Sequence, residues 1–507
     1  MSTQTKNTDG IQFPIDSRTQ KASTSRIGKE ILHATLESLN APQAKKILKE
    51  KNWRKNYPSY FKAIVQHQIH SSKQALNSAE QGLKKAAQSL QFNRDGQSIT
   101  LDQAMESIHS HQFEKIEIKG QGNADIAEWG IPYQGQFLTG QTLLDQITDW
   151  EMRGIIDPSN AHALKTVNAH PEWFDLSKRT VVLFGAASEA GPLTWLSKWK
   201  ANIIALDLPN EKIWDKIQGI IKNGNATLIA PATKNEKGEK VLGVDLLKQT
   251  PEIANWLSQF EQSLDLAGIA YLDGEKHVRV SMAMIAIMQK VSKLKNDTSL
   301  MFMLTPTDIY AVPKHVFAET EIRRNNRSNV EKIISKAVAK VTLSHFFQKN
   351  DQTLFASNQQ QQYGISDCIV VEQGPNYALA KRLQQWYAMI ARQNGQKVSI
   401  NIAPSTTTQS VIKNPLLKAA FEGADLFGVE AFSPETTNAI MAAIWVYDLH
   451  CKDSLSNPNN LLEHPLKLIM ENANHGGLWS VPYLVRTALP FSALYGFGLE
   501  KINKFRK

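Results

Sequence analysis

Six short apolar runs, separated by stretches in which apolar residues recur at helical spacing, constrain the fold of residues 179–403 more than any other feature. Apolar runs of this length are typical of strands buried on both faces, and helices between them are typical of a parallel sheet. The pattern predicts an α/β fold with a doubly wound parallel sheet. The expected strands are TVVLFG (180–185), NIIALD (202–207), ATLIAP (226–231), AGIAYLD (267–273), SLMFML (299–304) and KVSINIA (397–403).

The connections between these strands predict five helices and one insertion. The helices are expected near residues 191–200, 210–222, 243–262, 276–294 and 376–394. The gap at 305–375 is too long for a simple crossover. It contains a helical pattern of its own, NVEKIISKAVAKVTLSHFF (329–347), and a Gln-rich turn, NQQQQYG. We therefore expect a lid or subdomain at this position.

The remaining segments differ in composition and hydrophobic pattern from the sheet region, which we place at residues 176–460. Residues 1–25 are polar and rich in Ser and Thr, which predicts disorder. Residues 26–175 form a mainly helical N-terminal region. Residues 461–507 form an apolar, Pro-broken extension, either a packed cover over the sheet edge or a wall for a hydrophobic substrate or membrane surface. Packing is the favoured interpretation.

The charge distribution limits the classes of partner. The net charge is +9, and all of the excess lies in residues 1–100, with 16 Lys and Arg against 7 Asp and Glu. The basic segment KKILKEKNWRKNYPSYFK (45–62) could contact nucleic acid or lipid headgroups. A solvated helical face with its aromatic residues turned inward is the favoured alternative. Nucleic acid is therefore not a favoured partner, and peripheral membrane contact and a homo-oligomer stay open.

Other features predict a cytoplasmic protein. The chain has no run of 18 apolar residues, and its start, MSTQTKNTDG, is polar. Only two cysteines, Cys368 and Cys451, are present, which fits a reducing compartment. The 13 histidines show no metal-ligand spacing with Cys or Glu, so no metal site is expected.

The first strand runs into a glycine-containing turn, GAASEAG (185–191), and then into a predicted helix. Glycines at such a turn allow the backbone to approach a pyrophosphate, which the helix N-terminus stabilises. Asp207 ends the second strand, 22 residues after Gly185. A carboxylate there can accept hydrogen bonds from an adenosine ribose and would repel a 2′-phosphate. This predicts a dinucleotide site that prefers NAD to NADP. The alternative is an ordinary tight turn.

The turn and the segments after it resemble the short-chain dehydrogenase/reductase superfamily, which has a Rossmann-like fold. In that family the fifth strand precedes a helix with Tyr-x-x-x-Lys, and the sixth strand ends in a Pro-containing loop over the nicotinamide. GPNYALAKRLQQWYAMIARQNGQKVSINIAPSTTTQSV supplies a similar helix, strand and loop in this order. The likeness covers roughly residues 179–450. It implies cofactor contacts from Gly185, Ala186, Ser188, Gly191, Asp207, Asp273, Lys381 and Pro404.

The resemblance implies a catalytic role for one of two Tyr-x-x-x-Lys sequences. Tyr310 is followed by Pro313, which disfavours a helical turn, whereas Tyr377 starts a predicted helix. Tyr377 would then be the general acid or base, and Lys381 would lower the pKa of its phenol and bind the nicotinamide ribose. The alternative is a tyrosine that packs at a helix start beside a solvated lysine.

Several positions depart from the family pattern. Phe184 stands where Thr is usual, and Glu189 replaces the middle glycine, next to the expected phosphates. The hydroxyl that orients the substrate carbonyl is assigned to Thr305, with Thr307 and Ser366 as alternatives. The family's Asn has no counterpart, and Arg279 or Ser281 falls near its place.

The expected function is interconversion of a ketone and a secondary alcohol with NAD as the cofactor and a hydrophobic substrate. The cofactor would supply the reactivity and the protein the orientation. The alternative is a non-catalytic dinucleotide-binding or interaction protein on the same fold, because a fold alone does not fix a function.

Overall fold

The computed structural model describes residues 8–110, 113–235, 237–327, 329–342, 345–350 and 353–505. Its strands are β1 (Gly10–Gln12), β2 (Gln91–Arg94), β3 (Gln97–Thr100), β4 (Glu114–Lys119), β5 (Ile131–Tyr133), β6 (Gln136–Leu138), β7 (Thr180–Phe184), β8 (Asn202–Leu206), β9 (Thr227–Lys234), β10 (Lys240–Leu242), β11 (Leu264–Gly268), β12 (Ser299–Leu304), β13 (Ile309–Pro313), β14 (Phe355–Ala356), β15 (Gln362–Asp367) and β16 (Lys397–Ile402).

The α-helices are α1 (Thr24–Glu37), α2 (Ala41–Lys49), α3 (Trp53–Ile69), α4 (Ser72–Ser89), α5 (Leu101–Ser107), α6 (Gly140–Met152), α7 (Pro158–Ala169), α8 (Leu193–Leu196), α9 (Glu211–Lys222), α10 (Thr250–Leu257), α11 (Glu275–Leu294), α12 (Lys314–Asn326), α13 (Asn329–Val341), α14 (Gly374–Gln393), α15 (Gln409–Ile412), α16 (Pro415–Glu422), α17 (Pro434–His450), α18 (Lys467–Met470) and α19 (Val485–Phe505). Short 3₁₀ helices span Pro171–Phe174, Val371–Gln373, Ala424–Phe427 and Leu478–Ser480.

An eight-stranded, mostly parallel sheet forms the centre of the fold. The sequence predicts its six parallel strands but not the two antiparallel ones. Its parallel strands lie in the order β9-β8-β7-β11-β12-β16, and β4 and β10 pair antiparallel with β9. Numbered along the chain, the six parallel strands run 3-2-1-4-5-6. This order is that of a Rossmann-like topology, in which a crevice opens where the winding reverses, at the carboxyl ends of the strands.

Both faces of the sheet are covered by helices. Along β7, Val182 and Phe184 belong to a core that includes α11 and α14, whereas Val181 and Leu183 belong to a second core with α9 and α17. This alternation explains why every position of β7 is buried and why the strand has no polar face. The N-terminal helices α1 and α4 pack on α14 and form an outer layer on the first face.

Residues 8–25, for which the sequence predicts disorder, are ordered. Strand β1 pairs antiparallel with β2, and α1 begins at Thr24. The buried guanidinium of Arg279 donates to the backbone oxygen of Ile11 at 3.0 Å and to Gln12 Oε1 at 2.6 Å. Contacts with a distant part of the chain thus order a segment whose own composition is polar. Residues 1–7, also predicted to be disordered, lie outside the described part of the chain.

Two predicted elements around the crevice were placed wrongly. The fourth strand spans Leu264–Gly268, rather than 267–273, because Asp265 is tolerated inside the sheet. Arg179 donates to both of its carboxylate oxygens at 2.8 Å. The helix expected at 191–200 is the single turn α8, because the carbonyl of Ser197 accepts the amides of Asn225 and Ala226 instead of continuing a helix.

The insertion at 305–375 forms a small antiparallel sheet, β13-β15-β14, with α12 and α13. Tyr310 lies on β13 and is therefore not part of a helix. In the basic segment 45–62, the aromatic side chains are turned inward, as predicted, and are buried: Trp53, Tyr57, Tyr60 and Phe61. None of the helices within the described ranges combines the length and apolarity that crossing a membrane requires.

Candidate functional site

A cleft of about 580 Å³ opens at the carboxyl ends of β7, β11, β12 and β16. Its volume lies in the range of small-molecule and cofactor sites. The insertion contributes only its first residues and Gln373 to the lining, so it does not fill the cleft. Most of the predicted site residues line it: Gly185, Ser188, Asp207, Thr305, Tyr377, Lys381 and Pro404. Ala186, Gly191 and Asp273 do not.

The turn after β7 is tight, and Gly185 is the residue that permits it. Gly185 has a positive φ of 85°, and a Cβ there would come within 2.7 Å of Ala270 Cα. Its carbonyl accepts the amide of Ser188 at 3.1 Å. Ala186 is buried in the opposite core, and Gly191 faces Ile269 instead of the cleft. The glycines therefore serve the close packing of the turn against its neighbours.

Asp207 holds the same turn from the end of β8. Its Oδ2 accepts the amide of Ala187 at 2.9 Å, and its Oδ1 accepts the amide of Leu208 at 2.9 Å. Burial raises the pKa of this carboxyl, and the two backbone amides oppose the rise. A carboxylate has about four lone-pair sites, so two remain for a ligand diol in the cleft. Asp273, by contrast, is exposed and accepts a hydrogen bond from Tyr271.

Glu189 bridges two walls of the cleft. Its Oε2 accepts the amide of Gln409, the first residue of α15, at 3.0 Å. The acid that replaces a glycine of the family pattern therefore ties the turn to the loop after β16. Because α8 has only four residues, few aligned amides face this end of the cleft. Both features disfavour tight pyrophosphate binding.

Tyr377 and Lys381 lie in the first two turns of α14, and both line the cleft. Burial raises the pKa of Tyr377 to about 12, and a side-chain hydrogen bond with Thr305 opposes the rise. Burial lowers the pKa of Lys381 to about 8. The Lys381 ammonium donates to the carbonyl of Met303 at 2.8 Å, and the expectation that Lys381 lowers the pKa of Tyr377 stays a prediction. Both groups are protonated at pH 7.

The hydroxyl beside Tyr377 belongs to Thr305, at the carboxyl end of β12. Thr305 Oγ1 lies 2.8 Å from Thr307 Oγ1, which donates to Gln373 Oε1 at 2.7 Å. Ser366 lies elsewhere, on β15, where its hydroxyl donates to the carbonyl of Trp479. Of the three hydroxyls considered from sequence, the structure therefore brings Thr305 and Thr307 to the cleft and leaves Ser366 outside it.

Sequence reasoning missed a buried amide behind Lys381. Gln384 Oε1 lies 3.4 Å from Lys381 Nζ, and its Nε2 donates to Ser281 Oγ at 2.9 Å. Gln384 follows Lys381 by three residues on the same helix face, which is the signal that could have revealed it. Ser281 thus contacts the site through Gln384, whereas Arg279 anchors the N-terminal strand and takes no part in it.

A fully buried histidine stacks against the candidate acid. The ring of His277 lies 5.3 Å from that of Tyr377 and 4.9 Å from that of Tyr271. Neither ring nitrogen of His277 has a hydrogen-bond partner. Burial and the nearby charge of Lys381 lower the pKa of His277 well below its usual value. The imidazole is therefore neutral in the folded protein.

The neutral state of His277 predicts that the free energy of unfolding depends on pH. The unfolded chain binds a proton near pH 6.5 and the folded protein does not, so the free energy of unfolding falls as pH decreases through 6.5. His277→Phe keeps the ring stack and should reduce the loss between pH 7 and 5.5 by about 1 kcal/mol. Urea denaturation at both pH values measures it, and an unchanged pH dependence would contradict a neutral His277.

The fold and the cleft together define a class: an α/β protein of Rossmann-like topology with a ligand-sized cleft at the carboxyl ends of its parallel strands. No protein-family model matches the sequence, and a search of curated proteins gives no match. The function must therefore be argued from the side chains of the cleft.

Proposed function

We propose that the protein is an NAD(H)-dependent oxidoreductase of the short-chain dehydrogenase/reductase type that interconverts a ketone and a secondary alcohol. The observation that carries the proposal is the convergence of Tyr377, Lys381 and Thr305 in one cleft beside the turn at Gly185. These residues come from distant parts of the chain. A packing role for Tyr377 alone would not require a hydroxyl, an ammonium and an open cleft at the same place.

The residues around the cleft fit a dinucleotide in two respects. Gly185 lines the cleft at the turn, and Asp207 has unused acceptor sites for a ribose diol. Lys381 would hold the ribose next to the nicotinamide, and Pro404 lies in the loop at that end. When bound, the nicotinamide supplies or accepts the hydride.

The chemistry of the protein side chains favours proton donation. Tyr377, with a pKa near 12, is protonated at neutral pH and can donate to the oxygen that develops as a ketone is reduced. Thr305 lies within hydrogen-bonding reach of Tyr377 and can orient the same oxygen. Lys381 keeps a positive charge below about pH 8, which stabilises a phenolate left behind.

The cofactor preference gives a direct test. We expect NADH to bind more tightly than NADPH by about tenfold or more, which corresponds to about 1.4 kcal/mol. Asp207→Asn retains the shape and one acceptor but removes the charge, so the preference should largely disappear. Titration calorimetry with each nucleotide measures both.

Asp245→Asn is the matched control, because Asp245 lines the same cleft and loses the same charge. Its effect on the NADH preference should be small. Equal relaxation in the two variants would mean that net charge, and not a contact with Asp207, sets the preference. Failure of wild-type protein to bind either nucleotide would overturn the proposal.

A second candidate is a protein on the same fold that binds dinucleotide weakly or not at all and has no catalytic role. The bridge from Glu189 to Gln409 and the single-turn helix α8 favour it. The same titration distinguishes the two candidates, because only the enzyme is expected to bind NADH at physiological nucleotide concentrations.

A further inference from the structure

A smaller cavity adjoins the cleft. It has a volume of about 60 Å³ and lies between α16, α19 and the segments around Val429 and Val481. Thr307, Ser405 and Phe421 line both spaces, so the two adjoin at these three residues. We call this cavity the apolar recess. Thr307, on the side of the recess next to the cleft, has its hydroxyl hydrogen-bonded to that of Thr305.

The lining of the apolar recess favours a hydrocarbon. None of the lining residues is charged. Of its three polar side chains, those of Thr307, Ser405 and Ser492, two are already engaged, since Thr307 donates to Gln373 and Ser492 donates to the carbonyl of Ala420 at 2.6 Å. The wall is otherwise aliphatic or aromatic, including Val370, Leu478 and Leu489. A polar ligand would lose its hydrogen bonds to water there without replacing them.

The walls of the recess are rigidly built. Helices α16 and α19 approach each other closely, because a Cβ on Gly423 would collide with the carbonyl of Ser492 and one on Gly496 with the carbonyl of Ala419. Ala488 and Ala493 of α19 are both buried. Ala493 packs between α16 and α19, and Ala488 lines the recess. The small residues permit close packing and at the same time leave the space that the recess occupies.

We propose that the apolar recess binds the alkyl chain of the substrate, so that the substrate class is a ketone or secondary alcohol with a short unbranched alkyl chain on the reacting carbon. The volume of about 60 Å³ limits the chain to a short one. The identity of the reacting group rests on the proposed function. The binding of an alkyl chain rests on the geometry and lining of the recess.

A series of methyl ketones, from 2-butanone to 2-decanone, tests the chain length with NADH. Each added methylene that enters the recess should raise kcat/KM about fourfold, since its burial contributes about 0.8 kcal/mol. The rise should stop once the chain fills the recess, before 2-decanone. A kcat/KM that does not depend on chain length would overturn the proposal.

Variants at Ala488 test the location. Ala488→Phe should fill the recess and shift the preferred ketone to 2-butanone or 2-pentanone. Ala488→Val adds two methyl groups and should shorten the preferred chain by one or two carbons, which keeps the test valid if the larger side chain prevents folding. Leu494→Ala, on the outer side of α19 and 66% exposed, is the control and should leave the chain-length profile unchanged.

A binding measurement separates the recess from the proposed reaction. 1-Hexanol at millimolar concentration should raise the Tm of the wild-type protein and of Leu494→Ala but not of Ala488→Phe. If this pattern appears and no ketone is reduced, the recess stands and the proposed reaction falls. If ketones are reduced without dependence on chain length or on Ala488, the reaction stands and the recess proposal falls. Absence of both effects overturns both.

Discussion

Tyr377→Phe should lower the rate of ketone reduction by about 10²–10⁴-fold, the usual effect of losing a general acid, and should leave the Kd for NADH within about twofold. This substitution removes only the phenolic hydroxyl, and the ring still stacks on His277. Steady-state kinetics with 2-octanone and calorimetry with NADH measure the two quantities on the same preparation.

Lys381→Met should differ from Tyr377→Phe in one respect. The same ammonium is assigned to the nicotinamide ribose, so both turnover and affinity for NADH should decrease. Tyr387→Phe is the matched control, since Tyr387 is a buried tyrosine on the same helix, α14. Its ring packs against that of Phe302 on β12, with the ring centroids 6.0 Å apart. Its effect on turnover should be less than about threefold. Comparable losses in Tyr377→Phe and Tyr387→Phe would show that the helix, and not the phenol, carries the effect.

The central sheet was predictable because its signal is local. The parallel strands other than the fourth are mainly apolar, although β16 also carries Ser399 and Asn401. Both faces of the sheet are covered, so no register had to be inferred from alternation. The fourth strand was misplaced because Asp265 looks like a strand end. Its partner, Arg179, lies 86 residues away in the chain, and a buried ion pair of that separation leaves no local pattern.

Only those parts of the candidate site that depend on the order of helices and strands along the chain could be predicted from the sequence. Tyr377 could be preferred to Tyr310 because a helix was expected for the first and excluded by Pro313 for the second, and the structure has that difference. The state of Tyr377 could not be predicted. Its pKa depends on burial and on Thr305, which is 72 residues away. The bridge from Glu189 to Gln409 spans 220 residues and had no signal in the sequence.

The site depends on a buried ion pair that no sequence pattern indicated. Asp308, at the start of the insertion, accepts from Arg382 of α14 at 3.0 Å and from Gln385 at 3.0 Å. Its side chain is 1% exposed and that of Arg382 2%. Arg382 also donates to the carbonyl of Ile309 at 2.8 Å. The pair thus joins the insertion to the helix that carries Tyr377.

Asp308→Ala should lower the free energy of unfolding by about 3–5 kcal/mol, because it leaves the Arg382 guanidinium buried without its counter-ion. Urea denaturation followed by tryptophan fluorescence measures it. Glu422→Ala is the control, because it breaks an ion pair between two exposed side chains, Lys418 at 41% and Glu422 at 40%. It should lower the free energy of unfolding by less than about 0.5 kcal/mol.

The double variant Asp308→Leu/Arg382→Met distinguishes loss of a charge partner from loss of packing. If the cost of Asp308→Ala is that of an unpaired buried charge, replacing both partners by apolar side chains should recover at least half of the lost stability. Stability as low as that of Asp308→Ala would mean that the hydrogen bonds to Gln385 and Ile309, and not the charge pair, hold the insertion on α14. In that case the alignment of Tyr377 would depend on the polar network as a whole.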